Sequence, residues 1–152
     1  MKRFRFPLEA LRALRRRRRE EAERVFAAAR ARRDRQILEL SSLTEERRAA
    51  EEDFGAILPG KGAFPLAEAM ARRAWVATLT RRVTQATRTL EALSREAELR
   101  RLALLEASRH EKVVDRLRER RREAWAQAAG REDQAAADEA GLGVFRKVKV
   151  QA

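Results

Sequence analysis

From residue 76 onward, apolar and small side chains return at alternating intervals of three and four: Val76, Leu79, Val83, Ala86, Leu90, Leu93, Ala97, Leu104, Ala107 and Val114. Arg100 and Glu111 stand in the same register. That alternation is the seam of a coiled coil, one helical stripe buried against another helix. The first half carries a rougher stripe through Leu11, Leu14, Ala22, Phe26, Ala29, Ile37, Leu40, Leu43, Ala50 and Phe54. Arg18, Arg33 and Arg47 intrude on it, so its packing is expected to be weaker or partly left for a partner.

Helix breakers cluster between the two stripes, at Gly55, Pro59, Gly60, Gly62 and Pro65, and mark a loop over 55–65. Each stripe opens in the same way, with Pro at a first helical position and an acid close behind. These openings are Phe6-Pro7-Leu8 with Glu9, and Phe64-Pro65-Leu66 with Glu68. Helix one is placed at about 7–54 and helix two at about 65–140. Gly141 and Gly143 are expected to stop the second helix. Gly130, inside it, costs about 1 kcal/mol relative to Ala and does not stop it. In the basic tail 141–152, Val144 to Val150 alternates like a strand with no sheet to join, and is read as disordered or held by a partner.

At 1.5 Å per residue the first helix is roughly 70 Å long and the second roughly 110 Å. Folded back, helix one reaches about Val113, and the clean seam stops at Val114. Beyond it the seam positions become Arg118 and Arg121, within the basic run 116–122. The expectation is an all-α fold: one domain, an antiparallel two-helix coiled-coil hairpin with a longer second helix. Its basic overhang would be solvated, and Trp125 would have no partner within the chain.

Composition narrows the functions. Among 152 residues there are 36 Lys plus Arg against 24 Asp plus Glu, for a net charge of +12, and no cysteine. Disulfides, thiolate catalysis and cysteine metal sites are thereby excluded. His110, four residues after Glu106, is a surface residue with no second His to help it bind a metal. Charged residues interrupt nearly every turn, so neither a membrane span nor a secretory signal is expected, and a cytoplasmic location follows. Gly55 to Gly62 matches GxxxxGK, but Gly follows Lys61 where a magnesium-binding hydroxyl is needed, and Pro59 removes a phosphate-binding N–H. It reads as a loop. Paired acids such as Glu51 and Glu52, or Asp138 and Glu139, lack a concave pocket to tune them, so no enzyme and no cofactor or small-molecule ligand is expected.

The run Arg15 to Arg19 spreads around the whole helix and is followed by Glu20, Glu21 and Glu23. A solvated face or an acidic protein partner fits it better than nucleic acid, since no aromatic stacking platform is interleaved. Trp75, with Leu79, Arg82 and Ala86, forms an i, i+4, i+7, i+11 stripe at the edge of the seam. The stripe is either a wide spot in the core or a partner-binding anchor, because exposed Trp and Arg are enriched at interface hot spots.

The opening Phe4-Arg5-Phe6-Pro7-Leu8-Glu9-Ala10-Leu11, with Glu20, Glu21 and Ala22 behind it, resembles the N-terminus of the FliJ family. The segment from Glu111 through Leu117-Arg118-Glu119-Arg120-Arg121 to Arg131-Glu132-Asp133-Gln134 and Asp138-Glu139-Ala140 resembles that family's C-terminal half. The family is the small soluble component of the bacterial flagellar type III export apparatus. The resemblance implies a coiled coil similar to the central stalk of rotary ATPases, with ends that enter the hexameric ring of the export ATPase and favour its assembly. It also implies docking to the cytoplasmic domain of the export gate and handling of export chaperones. Flagellum biogenesis, motility and chemotaxis would be served from the cytoplasmic side of the inner membrane. The family's gate-contacting pattern of aromatic, Leu, Ala and His falls on Trp75, Leu79, Arg82 and Ala86, of which the last two depart from it. Arg12, Arg16, Arg118, Arg121 and Trp125, at the free ends, are the expected ATPase contacts. Two further readings rest on charge: a basic nucleic-acid- or ribosome-associated coil, and a peripheral contact of Phe4, Phe6 and the arginines with anionic membrane.

Overall fold

The computed structural model describes residues 3–56 and 65–150, with side chains as far as 139. Two helices account for nearly all of them: α1, Glu9–Gly55, and α2, Leu66–Val150, packed against each other with no strand among the described residues. The fold is the all-α two-helix hairpin with a longer second helix. Most of the predicted loop, including the GxxxxGK segment beyond Ala56, lies outside the described residues.

α2 does not stop at Gly141. Its backbone stays helical through Gly141 and Gly143 to Val150, and no glycine among the described residues adopts a positive φ. A helix ends at glycine when the chain turns into the left-handed region. Without that turn, glycine in a long helix exacts about 1 kcal/mol and no more.

The chain divides into two compact units, Glu20–Leu105 and the pairing of Met1–Arg19 with Glu106–Ala152. In the first unit the buried residues are Ala29, Leu43 and Ala50 of α1 with Ala69, Leu79, Ala86 and Ala97 of α2. Five of these seven are alanine, so the seam is narrow and Leu79, at 0% exposure, is its bulkiest fully buried side chain. Val76, Val83, Leu90 and Leu93 flank it half-buried, as the three-four spacing requires. Two of the intruding arginines are half-buried beside acids of their own helix: Arg33 meets Asp34 at 2.7 Å, and Arg47, whose Nε is shielded from solvent without a hydrogen bond, meets Glu51 at 3.4 Å. Arg100 leaves the seam instead. It is exposed, 3.9 Å from Glu96 of its own helix. Ile37 of the expected α1 stripe is likewise exposed.

In the second unit the seam is largely ionic. Phe6 and Val114 are buried, with Leu8, Leu11 and Leu117 half-buried. Leu14, expected on the stripe, faces solvent. Across the helices Arg12 Nε donates to Asp115 Oδ1 at 2.6 Å and Arg19 Nε to Glu111 Oε2 at 3.0 Å. Residue numbers rise on α1 as they fall on α2, which makes the pairing antiparallel. Glu111 occupies a seam position, and the long Arg19 stem reaches it where a Leu would leave a carboxylate facing an apolar neighbour.

Leu79→Ala is expected to lower stability by about 2–3 kcal/mol, the low side of core truncations because a two-helix seam can partly collapse. Leu99→Ala, at a position 67% exposed, should change it by less than about 0.5 kcal/mol. Urea unfolding followed by circular dichroism would measure both. On the exposed faces, Glu45 and Glu98 are held below the ordinary glutamate range, first by hydrogen bonds from Arg48 and Arg101 three residues on. Because the folded values are lowered, this stabilisation is complete above the ordinary range and is lost as pH falls through the lowered values. Carboxyl carbon shifts followed by NMR should therefore give midpoints for Glu45 and Glu98 below those of the unfolded chain.

Candidate partner-binding surfaces

The expected ATPase-contacting residues fall in the second unit, and the structure ties several of them down. Glu9 sits between two guanidinium groups, with its Oε1 3.0 Å from Arg12 and its Oε2 3.4 Å from Arg118. The hydrogen bond to Asp115, then that to Glu9, raises the Arg12 pKa above its ordinary value. Arg118 Nε is shielded from solvent and makes no hydrogen bond, so its link to Glu9 is a charge contact only. The expectation of an overhang solvated from Arg118 onward is thereby corrected. The segment before Glu9 is not helical, and extended chain advances about 3.3 Å per residue against 1.5 Å in a helix. It therefore covers more of α2 than a further turn of α1 would.

Trp125 is the second correction. Rather than lacking an intrachain partner, it meets Phe4 with ring centroids 6.0 Å apart and planes at 54°, the tilted arrangement that aromatic quadrupoles favour. It remains 38% exposed. Phe4, Arg5, Phe6, Pro7, Glu9 and Arg118 line an open groove of about 670 Å³ alongside. Arg121 is exposed, whereas Arg16 is engaged within the chain. The five-arginine run is not wholly solvated either, because Arg15 approaches His110 Nδ1 at 3.4 Å and Arg19 holds Glu111. The free cations of the run are Arg17 and Arg18, both exposed. Sequence reading missed Phe4, Asp115 and Glu111 as partners. The signal was there: acids at 111 and 115 on α2, and arginines at 12 and 19 on α1, lie opposite once the hairpin register is drawn.

Charge is divided unevenly. The second unit contains 20 of the basic and 10 of the acidic residues, which leaves +10 of the net +12 there. The first unit is nearly balanced.

The Trp75, Leu79, Arg82 and Ala86 stripe belongs to the first unit, and the structure does not present it as one face. Leu79 and Ala86 are buried against α1, while Trp75, 46% exposed, and Arg82 face solvent. The stripe shares positions 79 and 86 with the heptad seam, and burial of those two decides their direction. Beside Trp75, a shallow groove of about 270 Å³ is lined by Glu46, Ala49, Ala50, Asp53 and Arg72. Of these neighbours, Ala50 alone stands on a stripe read from the sequence.

Among the described residues there is no group of three His, Cys, Asp or Glu able to hold a metal. Nor is any helix there long and apolar enough to cross a membrane. What remains is a two-helix coiled-coil hairpin with one strongly basic unit and two partly exposed tryptophans. Neither a characterised relative nor a solved structure matches the chain. The family model described as "Flagellar FliJ protein" matches residues 4–149, nearly the whole chain. The chain belongs to the FliJ family, a non-catalytic component of flagellar protein export.

In a Trp75→Phe background, Trp125 is the remaining tryptophan. Phe4→Ala in that background should shift its emission to the red and raise acrylamide quenching about twofold, the change expected when a ring loses an aromatic cover. An unchanged spectrum would show that Phe4 does not shield it in solution.

Proposed function

We propose that this chain acts at the cytoplasmic face of the export apparatus as an accessory that engages the hexameric export ATPase through its basic unit and the export gate through Trp75. Family membership over residues 4–149 is the observation that carries this reading. The charge division supports the ATPase half, because a unit with +10 attracts an acid-lined ring at long range and speeds encounter. Arg121 and Trp125 are the contacts best exposed for it, while Arg12 and Arg118 hold the unit's own seam and act by keeping its shape. Arg16, engaged within the chain, stands with them as a supporting residue.

For the gate, Trp75 and Arg82 supply the surface, and Leu79 and Ala86 support it from beneath. Export chaperones, motility and chemotaxis enter as downstream consequences of this placement. The nucleic-acid reading loses ground, since Arg15, Arg16 and Arg19 of its founding run are engaged within the chain. The membrane reading loses Phe4 and Phe6, which pack on α2.

Adding the chain to the cognate export ATPase at physiological salt should promote ring formation and raise the hydrolysis rate. Arg121→Glu should weaken ring binding about tenfold and make the remaining binding less sensitive to salt, as losing a favourable interfacial charge does. Trp75→Ala should leave ATPase stimulation intact and abolish capture of the gate's cytoplasmic domain. No stimulation by wild type, together with salt-sensitive RNA binding, would favour the nucleic-acid reading instead.

A further inference from the structure

Around Trp75 the basic character of the chain reverses. Arg72, which lines the groove, already has a carboxylate in Glu68, and on α1 Arg47 is paired with Glu51 and Arg48 with Glu45 and Glu52. Arg72 also donates from Nη1 to the carbonyl of Asp53 at 2.9 Å, which fixes it in the groove wall. The carboxylates of Glu46 and Asp53, by contrast, have no ion partner among the described residues, although both line the groove. Arg73 is exposed and does not line it.

The geometry follows from helix spacing. Glu46, Ala50 and Asp53 lie at i, i+4 and i+7 on α1, so the two acids bracket a floor of small side chains, roughly 10 Å apart along the axis at 1.5 Å per residue. Ala49 and Ala50 leave the volume that a larger side chain would fill, and the indole of Trp75 rises beside it from α2. A ring face, an apolar floor and two unpaired carboxylates are what a cationic side chain needs. The alkyl stem lies on the alanines, the head stacks over the indole, and the acids neutralise it.

We infer that the Trp75 groove takes an arginine or lysine from a basic segment of a protein partner, bracketed by Glu46 and Asp53. The site coincides with the proposed gate contact, and in that role the inference rests on that reading and names its chemistry. Net charge makes the site diagnostic. A chain at +12 repels a polycation, so binding of one requires a local acidic site.

The test uses the full chain carrying Trp125→Phe, in which Trp75 is the remaining tryptophan. Titration with acetylated, amidated hexa-arginine should change Trp75 emission saturably. Glu46→Gln with Asp53→Asn should weaken that binding at least tenfold while leaving the helical circular dichroism unchanged. No change in Trp75 emission with hexa-arginine, equal binding by the double variant, or preference for hexa-glutamate would each overturn the inference.

Capture of the gate's cytoplasmic domain separates this result from the gate reading. Loss of capture with Trp75→Ala but not with the double variant would leave the gate contact standing and remove its cationic chemistry. Retained capture with Trp75→Ala would remove the gate contact, and the hexa-arginine titration alone would then decide the groove.

Discussion

Among the described residues each helix has one helical neighbour, and the packing of each unit depends on the stripe where the two touch. In a globular domain a misplaced residue can be supported from several sides, but here a seam position that fails has nothing behind it. Around Leu79 the stripe is apolar and mostly alanine, which brings the helices close but removes little area from water per residue. In the other unit Arg12 with Asp115 and Arg19 with Glu111 flank the buried Phe6 and Val114. Partly exposed ion pairs contribute only about 0–1 kcal/mol each, so this unit is held more by register and by the buried Phe6 and Val114 than by charge.

That difference bears on function. The unit with the ionic seam also has nearly all of the net charge, and its cations divide into those paired across the two helices and those left for a partner. Arg12, Arg19 and Arg118 belong to the first group, and Arg17, Arg18 and Arg121 to the second. A count of arginines cannot make this division, because neighbours one residue apart on a helix differ by about 100° in direction. The balanced unit around Trp75 shows the converse: local pairing leaves two acids over in a basic chain.

Heptad spacing makes most of the α2 seam legible from residue order alone: Leu79, Ala86, Ala97 and Val114 are buried where the three-four count puts them. α1 is less legible because its apolar residues drift around the helix, and the structure leaves Leu14 and Ile37 outside while Arg33 and Arg47 are half-buried. Glycine misleads at 141, since its effect as a terminator depends on a backbone turn that residue type alone does not specify. The Phe4 to Trp125 contact is invisible to a periodicity count, because the segment that makes it is not helical. The groove beside Trp75 depends on small residues at 49 and 50 facing it across the seam, and absent volume leaves no mark in a hydropathy pattern.

Past Trp125, α2 continues through residues 126–139 with nearly every side chain exposed. A free peptide of that length would hardly be helical, since forming the first turn is the costly step. Here the packed helix upstream has already taken that step, and each further turn only extends it. A partner that grips this stretch meets a preformed surface rather than a chain to be ordered, and surrenders little entropy in doing so. The same exposure means that little packing opposes local unwinding there. It can therefore serve as a handle that is rigid when held and yielding when released.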